Sequence, residues 1–299
     1  MPRKFYTLDV FADTALEGNP LAVVLDADGL DEAAMQRIAR EFNLSETVFV
    51  FEPRDPVNSA RLRIFTPARE LPFAGHPTVG TAALIAHLRA RDLLAAQDLQ
   101  VVLEEEIGEV VCVARHRRGA AMAAYFNLPR LPERLGEAPS ASSLAQGLGL
   151  DVADIGFGAH VPSVFGVGPA YVFVPVAKLD AMARADARKT AWGEDGGAAV
   201  FLYCPETVRP DSRYHARMFA GGWGVAEDPA TGSAAAAFAG VAMAFDKPDE
   251  GEHMFVIEQG FEMGRPSLIS LGLEVGDSAL RGATIGGATV IVAEGTLRL

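Results

Sequence analysis

HPTVGTAA at residues 76–83 and DPATGSAA at residues 228–235 are the two stretches that decide the fold. Pro77/Pro229, Gly80/Gly232 and Ala82/Ala234 coincide, and the stretches lie 152 residues apart (76 to 228), about half of the 299-residue chain. ETVFVFEP (46–53) and AAVFLYCP (198–205) repeat at the same spacing. Between them RIF (63–65) matches RMF (217–219) once a two-residue insertion is allowed, and upstream GNPLAVV (18–24) loosely matches GPAYVFV (168–174). Matches in chain order at a nearly constant offset indicate an internal duplication, and two copies indicate two similar lobes rather than a solenoid. A site is then expected between lobes, where pockets commonly form.

The halves differ at polar positions. Glu46 aligns with Ala198, His76 with Asp228 and Thr81 with Ser233, while the Pro, Gly and Ala scaffold stays constant. Acid, base and binding roles placed on a symmetric frame would give this pattern.

Around these anchors the sequence predicts a mixture of strands and helices. Residues 4–11, 21–25, 47–51 and 61–65 are rich in β-branched and aromatic residues and read as strands, with Gly18-Asn19-Pro20 as a turn. Ala34, Met35, Ile38, Ala39 and Phe42 recur at helical spacing and predict a helix over 31–42. A helix is expected after Pro77, running to about Leu94, then strands over 99–105, 109–115 and 120–127. Residues 128–142 hold three prolines and read as a linker, which divides the chain into lobes at 1–129 and 130–299. Strands over 171–176, 199–204 and 214–219 follow, then an Ala-rich helix after Gly232.

Composition narrows the function. Hydrophobic residues at 49% and charged residues at 22% describe a folded chain rather than a disordered one. A net charge of −13 without a basic cluster excludes a phosphate-binding surface and hence nucleic acid; Arg115-His116-Arg117-Arg118 reads as a solvated turn. The two cysteines, Cys112 and Cys204, are too few for a disulfide framework or a metal cluster and fit a reducing cytoplasm. The run from Gly232 to Phe245 is too short to span a membrane, so it reads as a buried helix, and the first residues lack the apolar stretch of a signal peptide.

Each Pro-x-x-Gly-Thr/Ser segment precedes a run of high helix propensity. Helix N-termini offer free N–H groups and a favourable dipole, so two such starts could hold one small acidic substrate. The alternative is ordinary N-capping by Thr81 and Ser233. His76, with an unperturbed pKa near ~6.5, suits proton transfer near neutrality, or is a surface loop histidine. Asp228 is its counterpart, or a simple helix-start acid. Glu46 enters an apolar segment and suits general acid/base work, or is a solvent-facing strand-end glutamate. Dinucleotide, P-loop, nucleophile-elbow and zincin motifs are absent, and scattered histidines suggest no metal. The cysteines are 92 apart (112 to 204), not 152, so a two-thiol epimerase lacks its opposed pair.

DVF…GNPLAVV, MQRIAREFNLSETVF, RIFTPARELPFAGHPTVGTA and RMF…AEDPATGSA, in order from Asp9 to Ala235, together with EQGFEMGRPSLI at 258–269, resemble the PhzF family of phenazine-biosynthesis-like isomerases. The resemblance implies an α+β, diaminopimelate-epimerase-like fold: two similar lobes, each a barrel-like β-sheet around a central helix. It implies cofactor-free isomerisation like that of trans-2,3-dihydro-3-hydroxyanthranilate, with a carbon-bound proton moved within a small carboxylate substrate. Glu46 matches the family's acid/base glutamate, His76 its histidine and Asp228 its aspartate. Gly75, Gly232 and Ser233 match substrate-holding positions. No metal, no redox cofactor, no nucleic acid and no membrane partner is expected; a cytoplasmic homodimer is. Residues 220–224, AGGWG, depart from the more usual Pro-containing stretch and bear on substrate choice. An epimerase or racemase on the same fold, and a binding or interaction protein that keeps the fold without turnover, are the alternative readings.

Overall fold

The computed structural model describes residues 2–117, 119–187, 199–223 and 225–299. Of the positions singled out above, Arg118, Ala198 and Gly224 lie outside the described residues. The chain forms two compact units, Met1–Asn127 with Gly286–Leu299, and Leu128–Ile285.

The first unit contains β1 (Arg3–Val10), β2 (Asn19–Val24), α1 (Glu32–Phe42), β3 (Glu46–Phe51), β4 (Ala60–Phe65), the short β5 (Glu70–Leu71), α2 (Gly75–Ala96), β6 (Leu99–Glu105), β7 (Gly108–His116) and β8 (Met122–Asn127). Its sheet closes on itself. β1 pairs with β2, β2 with β3, β3 with β4, β4 with β6, β6 with β7 and β7 with β8. The chain's last strand bridges β8 and β1. A ring without edges leaves no row of unpaired backbone groups. α2 packs against β1, β2, β3, β6, β7 and β8, and Gly75 to Ala86 is buried throughout, so it is the central helix of the barrel. Its close approach depends on Gly80, where a Cβ would stand 2.7 Å from Val10 Cγ2 and 2.8 Å from Leu21 Cδ2. The helix starts at Gly75, before Pro77 and earlier than the Ala-rich pattern indicates. Pro77 is tolerated in the first turn because the missing N–H is not needed there.

α1 delivers Glu46. Asp31 accepts a 2.7 Å hydrogen bond from Ala34 N and caps the helix start. Met35, Ile38 and Ala39 bury against Val24, Phe49 and Phe65. Asn43 ends the helix in the left-handed region (φ 51°), the conformation asparagine tolerates best after glycine, and β3 begins three residues later.

The second unit contains β9 (Glu133–Arg134), α3 (Ala141–Leu148), β10 (Ser163–Gly166), β11 (Ala170–Pro175), α4 (Leu179–Arg184), β12 (Ala199–Cys204), β13 (Tyr214–Ala220), β14 (Val225–Asp228), α5 (Gly232–Val241), β15 (Gly251–Gln259), β16 (Ser267–Gly276) and the start of β17 (Ala279–Leu297). The sheet runs β9–β10–β11–β12–β13–β15–β16, with β14 folded back on β13. α5 packs on β10, β11 and β16. Its Phe238 meets the rings of Phe173, Phe201, Tyr203 and Tyr214 at centroid distances of 4.9–6.3 Å. These aromatic contacts anchor the second half of the helix on the sheet.

The linker expected over 128–142 is partly structured, since β9 pairs with β10. The division expected at 129/130 differs from the observed one at its far end. Residues 286–299 fall in the first unit, because β17 supplies the strand that β1 and β8 require. Among the described residues no helix is long and apolar enough to cross a membrane.

The duplication reaches deeper than the sequence matches. In each unit the strand carrying the Arg-x-Phe motif pairs in parallel with a later strand, Arg61 with Glu104 and His215 with Glu258. Both glutamates clamp two successive backbone N–H groups of the loop before that motif. Glu104 accepts from Arg54 N and Asp55 N at 2.9 and 2.8 Å; Glu258 accepts from Val208 N and Arg209 N at 2.6 and 3.0 Å.

Candidate active site

In the first unit, Glu46 opens β3 and His76 lies in the first turn of α2. Glu46 Oε2 stands 3.3 Å from His76 Nε2, and the side chains are 17% and 6% exposed. His76 is therefore a buried helix-start residue, not a surface loop histidine. Burial pushes its pKa down to about 3, so the imidazole is neutral near pH 7 and the expectation of a titration near neutrality is corrected. A carboxylate beside a neutral imidazole is not an ion pair. It is a close approach of two buried polar atoms, either of which can hold a substrate group. Gly75 begins the same turn.

In the second unit, Asp228 ends β14 and is buried. Its Oδ2 accepts a 2.6 Å hydrogen bond from Thr231 Oγ1, and its backbone oxygen accepts one of 2.7 Å from Gln259 Nε2. Gln259 also donates to Thr231 Oγ1 at 3.1 Å and accepts from Thr231 N at 3.1 Å. One carboxamide thus fixes the whole Asp228–Thr231 turn. Gly232 and Ser233 follow as the first residues of α5, and Ser233 Oγ shares a 2.6 Å hydrogen bond with Tyr171 OH.

The capping alternative fails in both units. The N-caps are Ala74 and Thr231, and neither makes a side-chain cap hydrogen bond. Thr81 is inside α2, buried, with no hydrogen-bond partner for Oγ1 among the described residues. The first N–H groups of both helices are beyond the reach of any intrahelical carbonyl.

Each helix start is preceded by a short strand fixed by an arginine. Arg217 Nε donates to Glu227 Oε1 at 2.8 Å and Nη2 to Glu227 Oε2 at 3.1 Å, while Nη1 reaches the Met182 and Ala185 carbonyls at 2.6 and 2.7 Å. Glu227 is the residue before Asp228. Arg63 holds Glu70 in the same way, with Nε to Oε1 at 2.6 Å, and also pairs with Glu32. Beside Arg217, His215 lies between Glu258 and Glu262 at 2.8 Å each. Burial pulls its pKa down, but the two carboxylates outweigh this and carry it up to about 9.

The cysteines are buried strand residues. Burial raises both thiols, that of Cys204 to about 11, so neither is a ready thiolate. Arg115 and Arg117 pair with Asp98 on the surface. Residues 221–223 of the divergent stretch form a 3-10 turn between β13 and β14. Among the described residues no group of three or more His, Cys, Asp or Glu side chains is placed to hold a metal ion.

The sequence reading missed Gln259, Thr231, Tyr171 and the arginine clamps. Gln259 and Tyr171 act on residues 28 and 62 positions away, which only the fold brings within reach; Thr231 bonds Asp228 from within the same short segment.

A β-sheet closed around a central helix is the scaffold of the diaminopimelate-epimerase-like fold. The family profile described as phenazine biosynthesis-like protein matches residues 8–295, and the chain belongs to this PhzF family. It is 48% identical over 302 residues to an uncharacterized isomerase of Mesorhizobium japonicum, covering 99% of this chain and 98% of that one. It is 35% identical over 296 residues to the trans-2,3-dihydro-3-hydroxyanthranilate isomerase of Pseudomonas fluorescens, covering 99% of each. The crystal structure of a PhzF-family phenazine biosynthesis protein of Bacillus anthracis superimposes with a TM-score of 0.89 at 28% identity, covering all of both chains. A hydroxyproline epimerase of Agrobacterium vitis shares the fold at a TM-score of 0.60 and 13% identity, covering 99% of this chain and 92% of that one.

Proposed function

We propose that this chain isomerises a small unsaturated carboxylate of the trans-2,3-dihydro-3-hydroxyanthranilate type by moving a proton between two carbons. The observation that carries the reading is the 3.3 Å contact of Glu46 with a buried, neutral His76 at the α2 start. Glu46 as carboxylate takes a proton from a substrate carbon, and the electron pair left behind spreads into the adjacent conjugated system. The same carboxyl, its proton having exchanged with solvent, then protonates another carbon, so no electrons leave the substrate. His76, uncharged, donates to or accepts from the substrate's polar groups without first losing a charge. The family resemblance assigns Asp228, Ser233 and the Gly75 and Gly232 backbone to holding the amino, hydroxyl and carboxylate groups of the substrate. The reading carries with it a cytoplasmic homodimer, the state that the family resemblance implies; sedimentation tests the assembly.

The experiment is turnover of trans-2,3-dihydro-3-hydroxyanthranilate in deuterated water, wild type beside Glu46→Gln. Wild type is expected to place deuterium on carbon, and Glu46→Gln to lower kcat/KM by about 10²–10⁴-fold with the fold intact. Full activity in Glu46→Gln sinks the acid/base assignment. A folded wild type inert toward this compound rejects the substrate class.

A further inference from the structure

Glu105 is the last residue of β6, 8% exposed, and takes no part in the chemistry above. It occupies in the first unit the place of Gln259 in the second. The registers Arg61–Glu104 and His215–Glu258 are 154 residues apart at both positions (61 to 215, 104 to 258), and the next residues are Glu105 and Gln259. Both meet a threonine of the helix start. Gln259 Nε2 donates to Thr231 Oγ1, whose hydroxyl donates to Asp228 Oδ2. Thr78 Oγ1 lies 2.7 Å from Glu105 Oε1 and 2.8 Å from the Ala74 carbonyl. A threonine has one hydroxyl proton, so it cannot donate to both oxygens. If it donates to Ala74, the 2.7 Å contact must be a bond donated by Glu105, which requires a protonated carboxyl. If Glu105 is ionised, Thr78 must turn its proton to the carboxylate and Ala74 loses that bond. Ala74 to Thr78 is the turn that carries Gly75 and His76.

We propose that Glu105 is a positioning residue for His76 that acts as a neutral acid, its protonated carboxyl doing for the Ala74–Thr78 turn what the Gln259 carboxamide does for Asp228–Thr231. The proposal rests on the reading of His76 as a site residue. The surroundings favour the neutral form. Burial pushes Glu105 up to about 8, against a smaller opposing effect of the Thr78 hydroxyl. Its Oε2 has no hydrogen-bond partner among the described residues. Charged groups lie near without pairing to it. A cleft of about 430 Å³ that Glu105 lines also exposes Arg54, Arg61, Arg63, Glu70 and Glu106. Arg63 is engaged by Glu70 and Glu32, and Arg61 lies 4.2 Å over the Phe51 ring. From β7, buried Cys112 faces Glu105, and burial raises its thiol, so it supplies no charge.

The test is a pH titration, from 6 to 10, of the ¹⁵N-labelled His76 imidazole in the full-length protein without substrate, for wild type, Glu105→Gln and Glu105→Ala. In wild type the His76 signal should shift with a midpoint near 8, as the turn loses its Ala74 bond. Glu105→Gln should hold the low-pH wild-type position throughout, and Glu105→Ala should be displaced at every pH. Glu105→Gln should keep kcat/KM within the same order of magnitude and lose any alkaline limb, while Glu105→Ala should fall by about 10²-fold. A wild-type His76 signal with no step, a step that persists in Glu105→Gln, or a Glu105→Gln protein that does not fold each overturns the proposal. Because the titration needs no substrate, a sensing His76 in an inactive protein would count against the proposed function and leave the Glu105 role standing.

Discussion

At the residue scale, burial decides how His76 works. Its folded pKa of about 3 lies below the ordinary 6.5, so the unfolded chain binds more protons in between. The stability this group contributes is present above 6.5 and is lost as pH falls through 3. Replacing it by glutamine removes the titration. Wild type should lose thermal stability relative to His76→Gln on acidification from 6.5 toward 3, and kcat/KM should show no step near 6.5. Melting curves and a pH–rate profile check both, and a histidine step near 6.5 would show that His76 is solvated. His215 has the opposite sign. Its stability contribution is complete below 6.5 and is lost as pH rises through about 9.

At the element scale, the two units use the same device at different depths. Arg217 and Glu227 have side chains 6% and 9% exposed, whereas Arg63 and Glu70 are 26% and 25% exposed. Removing one partner of a buried pair strands a desolvated charge, but a partner that is a quarter exposed is largely rescued by water. Glu227→Ala should therefore cost about 3–5 kcal/mol, and Glu70→Ala about 1 kcal/mol, by urea unfolding. Equal costs would mean that burial does not set the strength of these clamps. Because Glu227 adjoins Asp228, its loss should also disturb the α5 start, while Glu70→Ala should leave that turn unchanged.

At the scale of the whole molecule, the first unit is completed by the end of the chain. β17 pairs with β1 through Arg3–Leu297 to Val10–Thr289 and also with β8, so the ring that holds α2 is closed by residues far from it in sequence. A chain ending at 285 would leave β1 and β8 as open edges around an apolar helix, and open edges pair with other molecules. This truncation should aggregate in sedimentation and lose its near-ultraviolet circular dichroism. A dispersed, natively structured truncation would show that the ring closes without β17.

The repeated Pro-x-x-Gly segments determined the duplication and the presence of both helices, because those signals are local: a proline, a glycine and an Ala-rich run act on their own backbone. The alternation of Leu99–Glu105 already put Glu105 on the side of Val101 and Leu103, a signal hidden by the acidic run Glu104-Glu105-Glu106 that looks solvent-facing. Glu46, His76 and Asp228 stood out as polar differences between matched repeats. Tertiary structure decided the rest. Protonation depends on how many atoms from distant strands exclude water from a group, so the neutrality of His76 and the form of Glu105 had no local sign. The bonds that fix each turn come from residues such as Gln259, 28 positions from Thr231, and only strand register brings them into reach.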